Sequence, residues 1–340
     1  MKLDSNESSL PPSPRVMAAL SECIQKSPLN WYPDLKAGEL TEKLAEYTGC
    51  PADFIQTFSG SDNALETVCK TFLEPRDEVI LCMPTYDHFR VYAESCDARL
   101  IPVFGPSHFA PKTEKLINAV AERTKIIYIV NPNNPTGMMY PKNDIELILQ
   151  KAPHAIVIVD EAYYEFSGIT MSGLLEKYPN LIIARSFSKA FGLAGLRCGY
   201  IMTQPSNLIP VNKVRLGKIN SLTQVAACAA LDDLEYVDRY VFEVRTAKKW
   251  LYERLTEMGL TVIDTKANFL LVEVANPVGL AAHLEENQIF VRAAIPQFEG
   301  FIRLTIGHQL LMERFYKTFK KVPLDLLFAE ESEGDQSKAL

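Results

Sequence analysis

The sequence predicts an α/β protein built around a largely parallel β-sheet. Five short runs are almost continuously apolar and rich in β-branched residues, which is typical of strands covered on both faces. They span residues 78–83, 98–104, 125–130, 155–159 and 181–184. Segments with helical spacing separate most of these runs, as in β-α-β units. The distinctive polar motifs follow the strands, and such sheets bind ligands at the carboxyl ends of their strands, so we expect the functional site at that edge.

The N-terminal part begins with a polar, proline-punctuated arm at residues 1–14. Apolar spacing predicts helices at 15–26 and 39–48, then a short strand at 54–57 and a third helix that follows Ser59-Gly-Ser-Asp62. We expect Ser61 or Asp62 to cap this third helix. A glycine turn before a helix N-terminus leaves backbone N–H groups for an anion, but an ordinary capped helix has the same sequence pattern.

The residues after 236 predict a second series of elements. Its order is helix, two strands, helix, two strands and helix, at residues 236–258, 260–263, 268–274, 278–286, 289–292, 300–305 and 309–320. Residues 329–340 are polar and acidic, which is the composition of a disordered tail.

Composition narrows the class of protein. The 340 residues are enough for two domains with a large core, and the net charge of −7 argues against nucleic acid or an anionic membrane as a partner. Seven cysteines are scattered, odd in number and without a Cys-x-x-Cys pair, which fits reduced thiols in the cytosol better than disulfides or a metal site. Neither a secretory signal nor a membrane-spanning run is visible, so we expect a cytoplasmic protein.

The most informative stretch is the loop around Lys189. Ser186 and Ser188 precede this lysine, small and apolar residues follow it, and no carboxylate lies between residues 186 and 200. A lysine held without an anion is partly desolvated, which favours the neutral amine that attacks a carbonyl. The two serines and Arg197 are donors that suit a phosphate monoester. The loop therefore predicts pyridoxal phosphate joined to Lys189, with a solvated surface lysine as the alternative.

Three further motifs suit the same cofactor. Asp160, at the end of a buried strand, would keep the pyridine nitrogen protonated, unless it merely caps the next helix. The Asn134 amide and the Tyr163 hydroxyl would donate to the phenolate oxygen, or else serve a turn and the edge of the core. Tyr86 would stack on the pyridine ring or simply pack. Glycine-rich nucleotide-binding motifs are missing from the sequence.

In order along the chain, these motifs resemble those of the fold-type I, aspartate-aminotransferase-like pyridoxal-phosphate enzymes. Within them the chain is most similar to the histidinol-phosphate aminotransferases, from about residue 3 to about residue 320. The motifs that carry the resemblance are Ser59-Gly-Ser-Asp62, Pro84-Thr-Tyr86, Asn131-Pro-Asn-Asn-Pro-Thr-Gly137, Asp160-Glu-Ala-Tyr163, Ser186-Phe-Ser-Lys-Ala-Phe-Gly-Leu-Ala-Gly-Leu-Arg197 and Phe301-Ile-Arg-Leu-Thr-Ile306.

The resemblance implies a large domain at 34–235 with a mostly parallel seven-stranded sheet, and a smaller α/β domain formed by 1–33 and 236–328. It also implies ping-pong transamination, in which Lys189 carries the cofactor and moves a proton while Asp160 stabilises negative charge through the ring. A homodimer with shared sites is implied as well, in which Tyr32 reaches the partner's cofactor phosphate. The phosphate ligands within the chain would be Ser61, Asp62, Ser186, Ser188 and Arg197.

For the substrate, the resemblance assigns a carboxylate to Arg303, a substrate phosphate to Arg292 and a place in the substrate site to Asn6. The chain departs from the family in Phe58-Ser-Gly-Ser-Asp-Asn63, where Gly-Asn-Gly-Ser-Asp-Glu is usual, and in the arm, which lacks a tyrosine. It also has Trp31 for a usual arginine and Gly307-His308 for Gly-Thr. These departures leave the amino donor open.

Three functional hypotheses follow. The favoured one is an aminotransferase of histidine biosynthesis that uses histidinol phosphate with 2-oxoglutarate and glutamate. The second is an aminotransferase for another amino acid, aromatic or from a specialised pathway. The third is a decarboxylase of the same fold or a cofactor-binding protein without turnover, and the presence of Lys189, Asp160 and Arg303 argues against the latter.

Overall fold

A computed structural model describes residues 1–105, 107–215, 218–293, 295–296 and 298–329. The strands are β1 Lys2–Leu3, β2 Ile55–Phe58, β3 Glu78–Cys82, β4 Arg99–Val103, β5 Thr124–Val130, β6 Ile156–Asp160, β7 Leu181–Ser186, β8 Gly199–Met202, β9 Val262–Asp264, β10 Phe269–Glu273, β11 Phe290–Val291 and β12 Phe301–Thr305.

Helices surround these strands. They are α1 Pro14–Lys26, α2 Gly38–Thr48, α3 Ser61–Phe72, α4 His88–Glu94, α5 Thr113–Asn118, α6 Lys142–Lys151, α7 Tyr164–Ser167, α8 Pro205–Val214, α9 Ser221–Leu231, α10 Leu234–Glu257, α11 Pro277–Glu286, α12 Gln309–Phe319 and α13 Leu324–Leu327. Several begin at the expected local signals. Ser13 caps α1 by accepting from the Val16 N–H, and Asn220 caps α9 by accepting from the Thr223 N–H.

Seven strands form the central sheet, in the order β2-β8-β7-β6-β5-β3-β4. Only β8 runs antiparallel to its neighbours, so the predicted mostly parallel seven-stranded sheet is confirmed. The strands β5, β6 and β7 are buried almost throughout, which explains why their sequences show apolar runs and no alternation. Their carboxyl ends meet at one edge, where Asp160 pairs with Val130 and Ala184.

Two smaller sheets complete the fold. One has the antiparallel order β12-β10-β9, and the other pairs β1 with β11 in parallel. The short strand β1 was not predicted, and it ties the N-terminal arm to β11 near the far end of the chain. Helix α10 packs against both α12 and α7, whereas α1 packs against α9 and α2 also contacts α9.

Most predicted elements occur within one or two residues of their expected limits, but five elements of the fold were missed: β1, β8, α8, α9 and α13. The predicted cap of α3 is wrong, because the N-cap is Gly60 and α3 begins at Ser61. The domain limits at 34 and 235 stay a prediction. The predicted tail lies outside the described residues from 330 onward. Within the described residues, no helix combines the length and the apolarity needed to cross a membrane.

Candidate active site

A cavity of about 310 Å³ opens at the carboxyl edge of the central sheet, within the usual size range of small-molecule sites. Every residue predicted to bind cofactor lines it except Tyr32: Ser61, Asp62, Tyr86, Asn134, Asp160, Tyr163, Ser186, Ser188, Lys189 and Arg197. The N-terminal arm adds Ser5 and Glu7, which the sequence had not indicated. Loops that are separate in sequence therefore meet at one place because their strands end side by side.

Lys189 lies between the cofactor cavity and the N-terminal arm. Its Nζ donates to the Ser5 carbonyl at 3.2 Å and lies 5.9 Å from the centre of the Tyr163 ring. No ion pair involves it in the part of the chain that the structure describes. Burial, and to a smaller extent the positive charge of Arg303, lower the pKa of Lys189 to about 8. The nucleophilic, uncharged amine is thus far more populated near neutral pH than that of an ordinary lysine.

The other end of the cavity is built for a phosphate. Helix α3 has no side-chain cap within the described residues, so its first backbone N–H groups face this end of the cavity. Gly60 has a φ of +87°, and a Cβ there would lie 2.6 Å from Arg197 Nη2. A Cβ on Gly199 would lie 2.4 Å from the Ser61 nitrogen. Both glycines are therefore needed for the close approach of the arginine and the helix end.

The side chain of Asp62 does not serve as a phosphate ligand, because both of its oxygens contact other side chains. Its Oδ2 pairs with Arg197 Nη2 at 3.0 Å, and its Oδ1 accepts from the Tyr86 hydroxyl at 2.9 Å. The same hydroxyl lies 3.0 Å from His88 Nδ1. Because a carboxylate repels a phosphate, Asp62 can contribute to phosphate binding only through its backbone N–H at the start of α3.

Asp160 lines the cavity and is buried. It accepts hydrogen bonds from the Tyr128 hydroxyl at 2.8 Å and from the Ala162 N–H at 3.1 Å. Burial raises the pKa of Asp160 to about 6. The alternative of a helix cap is wrong, because α7 begins only at Tyr164 with Tyr163 as its N-cap.

Tyr128 is a site residue that the sequence analysis missed. It is completely buried in β5 and its ring stacks on Phe89 with centroids 3.8 Å apart. Its hydroxyl fixes the Asp160 carboxylate from the neighbouring strand. A tyrosine inside the aliphatic part of strand β5 was the available signal, since a buried hydroxyl needs a partner.

Separate hydrogen bonds hold Asn134 and Tyr163, with Arg303 and Asn6 as their respective partners. Arg303 Nη1 donates to Asn134 Oδ1 at 2.6 Å. The Asn6 amide donates to the Tyr163 hydroxyl at 3.0 Å, and its carbonyl oxygen accepts from Thr305 at 3.0 Å. Both ends of the Asn6 side chain thus have partners within the chain, and its assigned place in the substrate site stays a prediction.

A second cavity of about 410 Å³ adjoins the first. The two cavities share five lining residues, which are Ser5, Tyr86, Asn134, Tyr163 and Lys189. Arg292 and Arg303 line only the second cavity, and their backbones exchange hydrogen bonds of 3.1 and 2.8 Å. The lysine therefore stands between a cofactor-sized cavity and one that carries two arginines.

Tyr32 lies apart from both cavities. Its exposed fraction is 93%, and that of the neighbouring Trp31 is 71%. Its assigned contact with a partner's cofactor stays a prediction.

The residues present fit pyridoxal phosphate. The uncapped end of α3, Ser186, Ser188 and Arg197 match its phosphate, and Lys189 matches its aldehyde. Asp160, a buried carboxylate that faces the cavity between them, matches its pyridine nitrogen. The described residues include no group of three or more His, Cys, Asp or Glu side chains that could hold a metal ion.

Comparison with known proteins agrees with this geometry. The family model for aminotransferase class I and II matches residues 1–318. A dihydroxyacetone phosphate transaminase of Campylobacter jejuni is 38% identical, with 90% of this chain and 86% of that protein covered. A histidinol-phosphate aminotransferase of Carboxydothermus hydrogenoformans is 36% identical, with 94% and 90% covered.

Among solved structures, the histidinol-phosphate aminotransferase of Sinorhizobium meliloti in complex with pyridoxal-5′-phosphate superposes with a TM-score of 0.85. That match covers 95% of this chain and 91% of the other at 24% identity, which shows a shared fold. The aspartate-aminotransferase-like fold, the family match over nearly the whole chain and the residues of the cavity lead to one conclusion. The chain belongs to the class I and II aminotransferases and is a pyridoxal-phosphate-dependent enzyme.

Proposed function

We propose that this aminotransferase acts on a phosphorylated substrate, with histidinol phosphate favoured as amino donor and 2-oxoglutarate and glutamate as the second pair. Arg292 and Arg303 carry this proposal, because both line the cavity that opens onto Lys189. A guanidinium is the donor best suited to a phosphate or carboxylate. Arg303 donates hydrogen bonds from Nη1 to Asn134 and from Nη2 to the Asp4 carbonyl. Its buried Nε has no hydrogen-bond partner within the described residues.

When bound, pyridoxal phosphate supplies an electron-withdrawing ring that stabilises negative charge at the substrate's α-carbon. In this chain Ser186, Ser188, Arg197 and the start of α3 would hold its phosphate. Tyr163 and Asn134 would hydrogen-bond its phenolate oxygen. Asp160 would hold a proton on its pyridine nitrogen, and the Tyr128 hydroxyl keeps that carboxylate in position.

Lys189 would carry the cofactor and then take and return the proton at the α-carbon. General acid–base catalysis is most efficient when the pKa of the group lies near the working pH. The pKa of about 8 that burial and Arg303 impose on Lys189 meets this condition. The two cavities share Lys189 in their lining, so the same amine can serve the cofactor and the substrate.

A second candidate is the transfer of an amino group to or from a phosphorylated three-carbon ketone. The dihydroxyacetone phosphate transaminase of Campylobacter jejuni, at 38% identity, favours it. Histidinol phosphate and dihydroxyacetone phosphate share a phosphate monoester, so Arg292 suits either one. Donors without phosphate, and decarboxylation on the same fold, remain the competing hypotheses.

We also propose a cytoplasmic homodimer with shared active sites. All seven cysteines are free, and six of them are buried, which is compatible with a reducing compartment. The large exposure of Trp31 and Tyr32 supports a partner surface there.

The amino donor is tested by a half-reaction with the purified holoenzyme. Transfer converts the bound cofactor to its pyridoxamine form, which is followed by absorbance, whereas decarboxylation releases carbon dioxide. We expect conversion with histidinol phosphate and glutamate, and slower conversion with histidinol. Conversion with glutamate but none with histidinol phosphate would favour the second candidate, to be assayed with dihydroxyacetone phosphate as acceptor.

The assigned role of Arg292 makes a quantitative prediction. A lost hydrogen bond to a charged group costs about 1.5–3 kcal/mol, so Arg292→Ala should raise KM for the phosphorylated substrate roughly 10- to 150-fold. The KM for glutamate should change less than about threefold, since Arg303 remains. Arg254→Ala, which removes an exposed arginine of α10, is the matched control. Equal losses on both substrates would show that Arg292 does not read the phosphate.

A further inference from the structure

We propose that His88 is a second ligand for the substrate phosphate, in the same cavity as Arg292, and that Asp62 and Tyr86 set its orientation. This role rests on the proposed phosphorylated substrate. His88 is the first residue of α4 and lines the second cavity together with Arg292. Asp62 lines only the first cavity, and Tyr86 lines both. The three side chains thus form a hydrogen-bonded path from the cofactor cavity to the substrate cavity.

The tautomer of His88 follows from counting protons along this path. Asp62 is paired with the Arg197 guanidinium and is a carboxylate, so it can only accept. Burial and the nearby Asp62 raise the pKa of Tyr86, so the hydroxyl keeps its single proton and donates it to Asp62. The 3.0 Å contact between Tyr86 and His88 then requires Nδ1–H of His88 as donor. In the part of the chain that the structure describes Nε2 has no hydrogen-bond partner, so it is the ring nitrogen left to bind a ligand.

Neighbouring charges leave the His88 ring available. The adjacent Asp87 is bound by Arg90, with Nε–Oδ1 and Nη2–Oδ2 distances of 3.0 and 3.3 Å. Glu94, one turn further along α4, is bound by the same arginine at 2.7 Å. Arg90 therefore neutralises both Asp87 and Glu94. Within the described residues, the hydrogen bond with Tyr86 orients the imidazole.

The free Nε2 suits a phosphate monoester. A phosphate oxygen and an imidazole nitrogen can share one proton and so form a hydrogen bond, whichever of the two carries the proton. Arg292 balances the negative charge of the phosphate. Glutamate has no phosphate monoester, and its α-carboxylate is assigned to Arg303, so we expect the binding of glutamate not to depend on His88. His88 is thus expected to discriminate between phosphorylated and unphosphorylated substrates.

Two variants separate this role from simple support of Tyr86. In His88→Asn the amide nitrogen replaces Nδ1 and can still donate to Tyr86, but nothing replaces Nε2. In His88→Gln the longer amide replaces Nε2 and leaves the Tyr86 hydroxyl without its donor. His283→Asn changes a half-buried histidine of α11 that lines neither cavity, and it is the matched control.

We expect His88→Asn to raise KM for histidinol phosphate about tenfold or more and to leave the glutamate half-reaction within about twofold of the parent. His88→Gln should stay within about threefold for histidinol phosphate. A normal KM in His88→Asn would overturn the proposal. So would a loss in His88→Gln that is shared by glutamate, because His88 would then act only through Tyr86.

A binding measurement keeps this test independent of the proposed function. Calorimetric titration of the holoenzyme with inorganic phosphate needs no turnover, and we expect His88→Asn to weaken binding about tenfold, with His88→Gln and His283→Asn near the parent. If histidinol phosphate is not turned over but this pattern holds, the proposed donor is wrong and the phosphate site stands. Equal phosphate binding in all four proteins would overturn the role of His88.

Discussion

At the scale of single residues, burial creates the two perturbed groups that the chemistry needs. Lys189 has a lowered pKa of about 8 and Asp160 has a raised pKa of about 6, in both cases chiefly because burial disfavours the charged form. Both groups line one cavity, which is where strongly perturbed ionisable groups tend to be functional. Tyr128 limits the shift of Asp160, because its hydrogen bond stabilises the carboxylate.

The lowered pKa of Lys189 predicts how the apoenzyme captures its cofactor. The neutral amine reacts, so the rate of reconstitution with pyridoxal phosphate should rise with pH and level off above about 8. Arg303→Gln removes a positive charge that lowers this pKa, so its inflection should move to higher pH, whereas Arg303→Lys should keep it. Stopped-flow absorbance across pH measures the rate. An increase that continues to pH 10 in the parent would contradict the burial of Lys189.

The same shift has a consequence for stability. Between about 8 and the ordinary lysine value of 10.5, the unfolded chain binds more protons at this position than the folded chain. Lys189 therefore reduces stability below pH 8, and the penalty disappears as pH rises through that window. The apoprotein of Lys189→Met should accordingly melt at a higher temperature than the parent at pH 7.

At the scale of elements, two glycines allow the start of α3 to approach β8 and Arg197. β8 lies between β2 and β7 in the sheet, and Gly199 pairs with Phe58 and Ser186. A Cβ at this position would meet the Ser61 nitrogen at 2.4 Å and the Gly60 carbonyl carbon at 2.7 Å. Both contacts are with backbone, so α3 itself has to move. The position of the α3 N-terminus beside the cavity therefore depends on the absence of a side chain at Gly199.

We predict that Gly199→Ala weakens binding of pyridoxal phosphate roughly tenfold or more, because the displaced α3 no longer presents its N–H groups in register. Gly173→Ala is the matched control, since a Cβ there meets only the end of Lys142 at 3.7 Å. Fluorescence titration of the apoproteins gives the dissociation constants, and circular dichroism checks that both variants are folded. An unchanged constant in folded Gly199→Ala would refute the steric explanation.

At the scale of the whole molecule, one segment near the N-terminus exposes several large apolar side chains. Between residues 17 and 35 the large apolar side chains with high exposure are Met17, Ile24, Leu29, Trp31, Tyr32 and Leu35. Such clustering is typical of surfaces that bind another protein. A second copy of this chain is the partner that the proposed shared active site requires.

The proposed homodimer predicts a specific effect at Tyr32. Tyr32→Phe removes only the hydroxyl, so cofactor retention should weaken about tenfold while the sedimentation coefficient stays that of a dimer. The control is Tyr316→Phe, which changes a tyrosine of α12 that packs on Trp250. A fully active monomer in sedimentation velocity, or unchanged cofactor retention in Tyr32→Phe, would contradict the shared site.

The sequence by itself determined the parallel sheet, the edge where the site lies and most of its cofactor residues. These features are local: a buried strand is recognisable from its own apolar run, and the motif that follows it is carried to the strand end by chain connectivity. The reactive state of Lys189 was also predictable, because the loop around it contains no carboxylate. Ten predicted residues consequently line one cavity.

Only the tertiary structure decided the partners of these residues. Asp62 meets Arg197 across 135 positions and Arg303 meets Asn134 across 169, while β1 joins β11 from opposite ends of the chain. No local pattern encodes such pairs, which arise when the strands and the arm pack together. Tyr128 and His88 belong to the same class, because a lone tyrosine or histidine acquires its role from a neighbour that packing supplies.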